Sequence, residues 1–158
     1  MRVGLGYDCH RLVPGRRFVL GGIEIPYEKG PLGHSDGDVL IHAICDAILG
    51  AISSKDIGSH FPDTDPEYLG LESERILLEC MWMLKEKGFR ILNIDSVVIL
   101  EEPKISPFRE RIVKNLSRIT GLSEESISVK AKTKEGFGFV GKKEGIEAYA
   151  VVLIEKDG

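Results

Sequence analysis

The chain has 158 residues, of which 42% are hydrophobic and 29% are charged, and this composition is typical of a globular domain rather than of a disordered segment. Its formal net charge of -4 provides no overall attraction for nucleic acid or for an anionic membrane. We therefore expect one domain over residues 1–158 that binds neither partner and holds any anionic ligand through local groups.

The first residues lack the apolar run of a secretory signal, because Asp8, His10 and Arg11 interrupt it. No stretch approaches the roughly 18 apolar residues that suggest a membrane-spanning helix. The three cysteines show no C-x-x-C spacing and suit reduced thiols. These features predict a cytoplasmic protein in which Cys45 and Cys80, inside helical apolar patterns, are small buried hydrophobes.

The N-terminal segments are predicted to be extended. Residues 2–7 alternate and indicate a short strand. Residues 17–25 indicate a second extended segment that bends at Gly21-Gly22. Residues 29–33 contain glycine and proline and predict a loop.

A helix is predicted to begin after His34. Ser35 is the expected N-cap, and Asp38 stands three residues later, where a capping box places an acid. Apolar residues then recur at helical spacing as far as Ala51.

The middle of the chain predicts a loop, a helix and a strand. Residues 58–66 indicate a loop, and residues 72–87 a helix that ends at Gly88. Residues 94–100 are apolar and β-branched, which favours a strand that stops at Pro103.

The C-terminal third predicts a helix over residues 106–120 with Pro107 at its first position, and strands over residues 127–132 and 147–155. The order β-β-α-α-β-α-β-β predicts an α/β (α+β) fold, with a mixed β-sheet and helices packed on one face.

A candidate metal site begins with Asp8 and His10, which one residue separates. Residues two apart on an extended chain point to the same side, so these two side chains can converge on one ion. His42 on the first helix is a third candidate, between Asp38 and Asp46 at spacings of four, where either carboxylate could orient its ring. Two histidines and one aspartate form the open three-ligand set of catalytic zinc. On spacing alone, a hydrogen-bonded core histidine remains the alternative for His42.

Several blocks of the sequence closely resemble the motifs of the 2-C-methyl-D-erythritol 2,4-cyclodiphosphate synthase family. They occur in order, at matching separations, along essentially the whole chain. The blocks are GYDCHR at 6–11, HSDGDVLIHA at 34–43, DIGSHFPDTD at 56–65, PKI at 103–105 and GFGFVG at 136–141.

The resemblance implies an enzyme that cyclises 4-diphosphocytidyl-2-C-methyl-D-erythritol 2-phosphate and releases CMP, a step of non-mevalonate isoprenoid biosynthesis. It implies a homotrimer with active sites between neighbouring subunits. It also implies one zinc-type cation per site (zinc, manganese or cobalt) and a second cation, magnesium or manganese. An isoprenoid diphosphate at the trimer axis is a further implied ligand.

Carried over residue by residue, the resemblance implies zinc ligands, a ligand of the second cation and two groups that stabilise the transition state. The zinc ligands are Asp8, His10 and His42, and the ligand of the second cation is Glu135. The groups that stabilise the transition state are His34 and Thr133. The start of the first helix would provide a seat for the 2-phosphate near His34 and Ser35, and a plain N-cap role for Ser35 is compatible with this.

The resemblance further implies a set of substrate contacts. The metal-site segment contributes Asp8, Cys9, His10, His34 and Ser35. The pocket for the ribose or methylerythritol part is implied to include Asp56, Ile57, Gly58, Phe61, Pro62, Asp63, Thr64 and Asp65. The cradle for cytosine and diphosphate is implied to include Leu100, Glu101, Glu102, Pro103, Lys104, Ile105, Ser106, Lys132, Thr133, Lys134 and Glu135, with Phe139 and Lys142 beyond it.

Two departures from the family pattern affect this set. Leu100 and Glu101 replace the usual Ala-Gln before Pro-Lys, which adds bulk and charge to the cradle. Lys142 stands where the family commonly has arginine, so a bidentate contact is lost and pairing with Glu144 is expected to weaken.

Two other functions use parts of the same pattern. A metallo-phosphohydrolase could use Asp8, His10 and His42 with a metal-bound hydroxide, and it would release phosphate from generic substrates. A non-catalytic trimeric module that binds nucleotides or isoprenoid diphosphates would tolerate loss of Glu135 and His34, whereas a cyclase would not.

Overall fold

The computed structural model describes all residues from 1 to 158, which form seven strands and five helices. The strands are β1 Arg2–Pro14, β2 Phe18–Leu20, β3 Ile23–Ile25, β4 Lys29–Leu32, β5 Phe89–Ile99, β6 Ile127–Lys132 and β7 Gly145–Lys156. The helices are α1 Val39–Ala51, α2 Ile57–His60, α3 Ser73–Glu86, α4 Arg109–Thr120 and α5 Gly138–Gly141, with 3-10 segments at Pro66–Tyr68, Ser106–Phe108 and Glu124–Ser126. None of the helices has the length and apolar character needed to span a bilayer.

The main sheet has five strands in the order β4-β1-β7-β5-β6. β5 and β6 are parallel, and the other neighbouring pairs are antiparallel. β2 and β3 form a separate hairpin. The mixed sheet predicted from the sequence is confirmed.

The helices cover one face of the sheet. Alternate residues of β7 point to this face and are buried there: Ile146, Ala148, Ala150, Val152 and Ile154. α1 is buried along most of its length and packs mainly on β1 and β7. The hydrophobic core therefore lies between the sheet and its helical layer, with α1 at its centre.

β1 and α1 pack closer than two elements with ordinary side chains could. A Cβ atom at Gly6 would lie 1.8 Å from the carbonyl oxygen of Ala43, and one at Gly4 would lie 1.8 Å from that of Ala47. Because these glycines have no side chains, the strand runs directly against the helix backbone. The strand residues that follow Gly6 are thereby brought next to His42.

The opposite face of the sheet carries exposed apolar side chains. The β1–β7 register pairs Leu5 with Val151 and Tyr7 with Tyr149, and the two tyrosine ring centroids are 4.8 Å apart. Leu5 is 67% exposed and Val3 is 66% exposed. Clusters of exposed apolar side chains on one face of a sheet are typical of surfaces that contact other proteins.

Two N-terminal strands differ from the prediction. β1 continues past Tyr7 to Pro14 because its second half pairs with β4 as well as with β7. Residues 29–33, predicted as a loop, contain β4, which lies at the edge of the sheet. An edge strand tolerates Pro31 because only one of its sides needs a partner.

β5 also starts earlier than predicted, at Phe89 rather than Ile94. An irregularity in its register between Ile91 and Asn93 breaks the strict alternation of residues, so the sequence pattern detects only the second half of the strand.

Helix starts were predicted less well than helix ends. α4 begins at Arg109 after a 3-10 turn at Ser106–Phe108, and the predicted loop 58–66 contains most of the one-turn helix α2. Gly88 and Gly121 follow α3 and α4 as expected, each with a φ of 75°, the left-handed conformation that glycine adopts readily.

The first turn of α1 is capped by Asp38, so the predicted N-cap at Ser35 is wrong. The Asp38 carboxylate accepts a hydrogen bond from the Ile41 N–H at 3.0 Å. It also accepts from the N–H groups of Gly21 at 3.0 Å and Gly22 at 2.7 Å, the turn between β2 and β3. One buried carboxylate thus ties this hairpin to the start of α1.

We expect the substitution Asp38→Ala to lower the free energy of unfolding by about 3 kcal/mol or more. Loss of a cap costs about 1 kcal/mol, and each further buried amide left unpaired costs about 1–3 kcal/mol. Burial, and next the charge of Asp36, raise the pKa of Asp38 to about 6, so the group is ionised at pH 7.5, where urea denaturation would be measured. Asp56→Ala is the matched control, because Asp56 caps the exposed start of α2 through Ser59 alone. Equal losses in the two variants would contradict the prediction.

Candidate metal centre and substrate cleft

Three side chains predicted as metal ligands meet between β1 and α1. Asp8 Oδ2 lies 2.8 Å from His10 Nε2 and 3.0 Å from His42 Nδ1, and the two imidazole nitrogens are 3.3 Å apart. Alternation along β1 places Asp8 and His10 on the side that faces α1, where His42 is buried. The three possible ligand atoms all lie within 4.8 Å of one another.

These separations fit a cation of the zinc type. Zinc binds imidazole nitrogen and carboxylate oxygen at about 2.0–2.2 Å with tetrahedral geometry, which places neighbouring ligand atoms roughly 3.3 Å apart. Asp8, His10 and His42 already stand close to that arrangement. Three protein ligands leave a fourth position free for a substrate oxygen, so this is a candidate catalytic metal site.

The charges of the triad support one another. Burial by itself would raise the pKa of Asp8, but the hydrogen bonds and charges of His10 and His42 outweigh it and hold that pKa below its ordinary value. Burial by itself would lower the pKa of His10, but the hydrogen bond and charge of Asp8 raise that pKa overall. Because a metal ligand must be deprotonated, cation binding here competes with a proton on His10.

Hydrogen bonds fix the second nitrogen of each histidine ring. His10 Nδ1 lies 3.0 Å from the carbonyl oxygen of Leu32. His42 Nε2 lies 2.8 Å from Ser73 Oγ and 3.2 Å from Ser35 Oγ. Both rings are therefore held with one nitrogen directed toward Asp8.

The prediction that Asp38 and Asp46 orient His42 is wrong. Asp38 caps the first turn of α1, and Asp46 Oδ1 accepts a hydrogen bond from the Ile57 N–H at 2.7 Å. A spacing of four residues places side chains on one helix face, but each carboxylate turns to the nearest unpaired amide instead of the ring. The serine hydroxyls that do contact His42 come from other segments, which helix spacing could not reveal.

A cleft of about 290 Å³ opens beside the triad. The predicted site residues that line it are His10, His34, Ser35, His42, Ile57, Gly58, Phe61 and Asp63. Sequence reasoning missed four further lining residues, which are Leu32, Gly33, Tyr68 and Ile76. Tyr68 packs edge-on against Phe61, with ring centroids 5.6 Å apart, a contact between segments that no local pattern signals.

Apart from the cradle residues, Phe139 and Lys142, six predicted substrate contacts lie outside the lining of this cleft, namely Asp8, Cys9, Asp56, Pro62, Thr64 and Asp65. Two of them have local structural partners, because Asp56 accepts from the Ser59 N–H at 2.8 Å and Asp65 accepts from the Glu67 N–H at 3.0 Å. Cys9 is exposed, and alternation along β1 directs it to the other face of the sheet.

The phosphate seat near His34 and Ser35 stays a prediction. In the first turn of α1 the Asp38 carboxylate takes one amide, the Ile41 N–H. His34 and Ser35 lie in the loop between β4 and α1 and reach the cleft from there.

The predicted cytosine and diphosphate cradle lies outside the metal-site cleft. Residues 100–106 and 132–135 follow the parallel neighbours β5 and β6, so they emerge side by side, and the Leu100 N–H donates to the Lys132 carbonyl at 2.9 Å. No residue of the cradle lines the metal-site cleft. Within a single chain, the metal-site cleft and the cradle, which are the two parts of the predicted substrate site, therefore do not meet.

Comparison with known proteins identifies the family. A sequence profile of the YgbB family matches residues 1–155. The chain belongs to this family. A Syntrophomonas wolfei protein named 2-C-methyl-D-erythritol 2,4-cyclodiphosphate synthase is 53% identical over 156 residues, covering 99% of either chain. The resemblance drawn from the sequence motifs is confirmed.

Solved structures of such synthases share the fold of this YgbB-family chain. A 2C-methyl-D-erythritol-2,4-cyclodiphosphate synthase in its CDP-bound form has a TM-score of 0.91 and 42% identity, covering 98% of this chain and 100% of its own. The Plasmodium falciparum IspF–CDP complex has a TM-score of 0.88 and 38% identity, covering 99% of this chain and 97% of its own. Because both structures cover nearly all of this chain, the similarity extends to the whole domain.

The first departure from the family motif has a structural consequence. Leu100 is buried in the core, and the Glu101 carboxylate accepts from the N–H groups of Lys134 at 2.8 Å and Gly136 at 3.4 Å. Glu135 lies between those two amides with a φ of 53°. Glu101 thus braces the backbone on both sides of Glu135, a role that its position in the sequence does not reveal.

The second departure places Lys142 beside a lysine that does form an ion pair. Lys142 forms no ion pair within the chain, whereas the neighbouring Lys143 pairs with Glu102 at 2.9 Å. No ion pair joins Lys142 to Glu144 within the chain, in line with the expected weakening of that pairing. Phe139 is half exposed and lies under the Lys134 ammonium at 5.6 Å.

Glu147 is a buried carboxylate that sequence analysis treated only as part of a closing strand. It pairs with Lys134 Nζ at 3.2 Å and accepts a hydrogen bond from the Tyr7 hydroxyl at 3.3 Å. Burial, followed by contact with Cys9, raises the pKa of Tyr7. This group links the loop that carries Glu135 to the exposed face of the sheet.

Proposed function

We propose that the chain converts 4-diphosphocytidyl-2-C-methyl-D-erythritol 2-phosphate into 2-C-methyl-D-erythritol 2,4-cyclodiphosphate and CMP. The observation that carries the proposal is the meeting of Asp8, His10 and His42 beside a cleft, in a chain that matches synthases of this name over its full length.

The reaction is an intramolecular attack of the 2-phosphate on the β-phosphorus, with CMP as the leaving group. The attacking phosphate is already ionised, so no general base is needed, and the barrier lies in bringing anionic groups together in line. The chain would therefore act by positioning and by charge. His34 and Ser35 on one wall of the cleft can hold phosphate oxygens, and Ile57 and Phe61 give an apolar surface for the methylerythritol part.

The cations would be held by separate groups of the chain. Asp8, His10 and His42 would bind one zinc-type ion (zinc, manganese or cobalt), which draws charge from the β-phosphate when bound. Glu135 would bind a second ion, magnesium or manganese, next to the α- and β-phosphates. Thr133 accepts a hydrogen bond from the Glu135 N–H at 3.3 Å and would stabilise the transition state together with His34.

A homotrimer would join the two separated parts of the substrate site. The metal-site cleft and the cradle of residues 100–106 and 132–135 do not meet on one chain, so the cradle of a neighbouring subunit would complete the cleft. The exposed apolar face around Leu5 and Tyr149 provides a surface for that assembly. An isoprenoid diphosphate at the trimer axis stays a prediction from the resemblance.

We expect Leu5→Glu to convert the trimer into monomers and to abolish most of the activity. Burying a leucine contributes about 1.5–3 kcal/mol, and an unpaired carboxylate at each interface adds a desolvation cost of several kcal/mol. Sedimentation velocity measures the assembly. Leu78→Glu is the control, because Leu78 is a 47% exposed leucine on the outer side of α3. A monomeric wild type with full activity would contradict a site shared between subunits.

The function is tested by incubating purified protein with the cytidyl substrate, zinc and magnesium, and detecting the products by mass spectrometry. The cyclic diphosphate and CMP in equal amounts support the proposal. Free phosphate from this and from generic phosphate esters would identify a phosphohydrolase instead. Binding without turnover would identify a non-catalytic nucleotide module.

We also propose a cytoplasmic location. The three cysteines are free thiols in the structure, and two of them, Cys45 and Cys80, are buried as predicted. Proteins with unpaired buried thiols are typical of a reducing compartment.

A further inference from the structure

A chain of hydrogen bonds joins His42 to a carboxylate outside the triad. His42 Nε2 lies 2.8 Å from Ser73 Oγ, and the Ser73 hydroxyl donates to Asp36 Oδ1. Asp36 Oδ2 also accepts from the Ser73 N–H at 3.0 Å. Ser73 is completely buried, so this connection lies in the interior and not on the cleft surface.

The order of donors in this chain follows from the chemistry of its groups. An ionised carboxylate can only accept hydrogen bonds, so the Ser73 hydroxyl proton is committed to Asp36. Ser73 Oγ then presents a lone pair to His42, and Nε2 must supply the hydrogen. With Nε2 as the donor, a neutral His42 carries its free lone pair on Nδ1, the nitrogen that lies beside Asp8 and His10.

Asp36 itself is held firmly. Its Oδ1 also accepts from the Asp38 N–H at 3.1 Å, and its two bonds to Ser73 lie at the first residue of α3. Glu72, the N-cap of α3, makes no capping bond with its own side chain. Asp36 therefore replaces the missing cap and joins the loop before α1 to the start of α3.

We infer that Ser73 and Asp36 are positioning residues that set the affinity of the metal site by holding His42 with Nδ1 free to ligate. This inference rests on the proposed metal site but not on the identity of the reaction. Ser35 Oγ is a more distant neighbour of the ring at 3.2 Å and also accepts from the Gly37 N–H at 3.3 Å, so Ser73 provides the better-placed acceptor. Outer-shell partners of metal-binding histidines typically change metal affinity about 10–100-fold.

The test compares zinc affinities by competition with a chromophoric chelator, using zinc alone as the probe. Ser73→Ala is expected to weaken zinc binding about 10–100-fold and to shift the visible spectrum of the cobalt-substituted protein. Ser54→Ala is the matched control, because Ser54 Oγ makes the same kind of contact, at 2.8 Å, with Nε2 of a histidine outside the triad, His60. The control is expected to bind zinc as the wild type does.

A second variant keeps the test decisive if Ser73→Ala does not fold, as judged by circular dichroism. Asp36→Asn leaves the Ser73 hydroxyl in place with a weaker acceptor, and we expect a smaller loss of zinc affinity in the same direction. Wild-type affinity in a folded Ser73→Ala variant, or in Asp36→Asn, would overturn the inference. A wild type that binds zinc without forming the cyclic product would instead overturn the proposed function and leave this inference standing.

Discussion

Replacing Asp8 with asparagine is expected to remove tight zinc binding and to lower the rate of cyclisation by about a thousandfold or more. Asp8 Oδ2 is the atom that both imidazoles approach, at 2.8 and 3.0 Å. An amide oxygen keeps the shape but not the charge, so the divalent cation would lose the only anionic ligand of the three. Lewis-acid stabilisation worth several kcal/mol corresponds to about three orders of magnitude in rate.

Chelator competition measures the zinc affinity of this variant, and product detection by mass measures the rate. Asp46→Asn is the control, since Asp46 lies one helical turn from His42 but directs its carboxylate to the Ile57 N–H. Asparagine can still accept that bond, so the control should retain both zinc and activity. Stoichiometric tight zinc with full turnover in Asp8→Asn would reject the metal site.

The sequence predicts those parts of the site that depend on local periodicity. Asp8 and His10 lie on one side of β1 because alternation is a property of any strand, and His42 lies on a regular helix. The contact between these elements was less accessible to prediction. The contact requires Gly4 and Gly6, because a side chain at either position would collide with a carbonyl oxygen of α1. The sequence alone does not show where those oxygens lie.

The predictions that failed involve competition among polar groups for partners. Ser35 has the sequence position of an N-cap, yet Asp38 takes that role because it reaches the turn at Gly21-Gly22 as well. Asp46 was expected to orient His42, but an unpaired amide at Ile57 lies nearer. Such choices depend on segments distant in sequence, and spacing along one helix carries no information about them.

The separation between cleft and cradle is a second result that one sequence could not supply. Family resemblance places both sets of residues in one active site, whereas the fold places residues 100–106 and 132–135 beyond β5 and β6, outside the cleft lining. The proposed homotrimer would reconcile the two observations. The exposed apolar face around Leu5 is the surface through which neighbouring chains would meet.

Gly6→Ala is expected to destabilise the fold by about 3 kcal/mol or more. The added Cβ would stand 1.8 Å from the Ala43 carbonyl oxygen and 2.7 Å from the Ala47 N, both backbone atoms of a helix that cannot move individually. Overpacking of a core typically costs about 1–3 kcal/mol, and occasionally more. Here relief requires α1 to move away from β1, which also separates His42 from Asp8. Zinc affinity should therefore fall together with stability.

Gly50→Ala is the matched control for this prediction. Gly50 lies on α1, the helix that Gly6 contacts, and a Cβ atom at Gly50 would meet only the Leu5 carbonyl oxygen at 3.9 Å. Alanine is a better helix former than glycine, so this variant should gain about 0.5–1 kcal/mol. Urea denaturation at one fixed protein concentration measures both variants, because the apparent stability of an oligomer would depend on concentration. A Gly6→Ala protein as stable as Gly50→Ala, with unchanged zinc affinity, would show that the strand and the helix do not need to touch for the metal site to form.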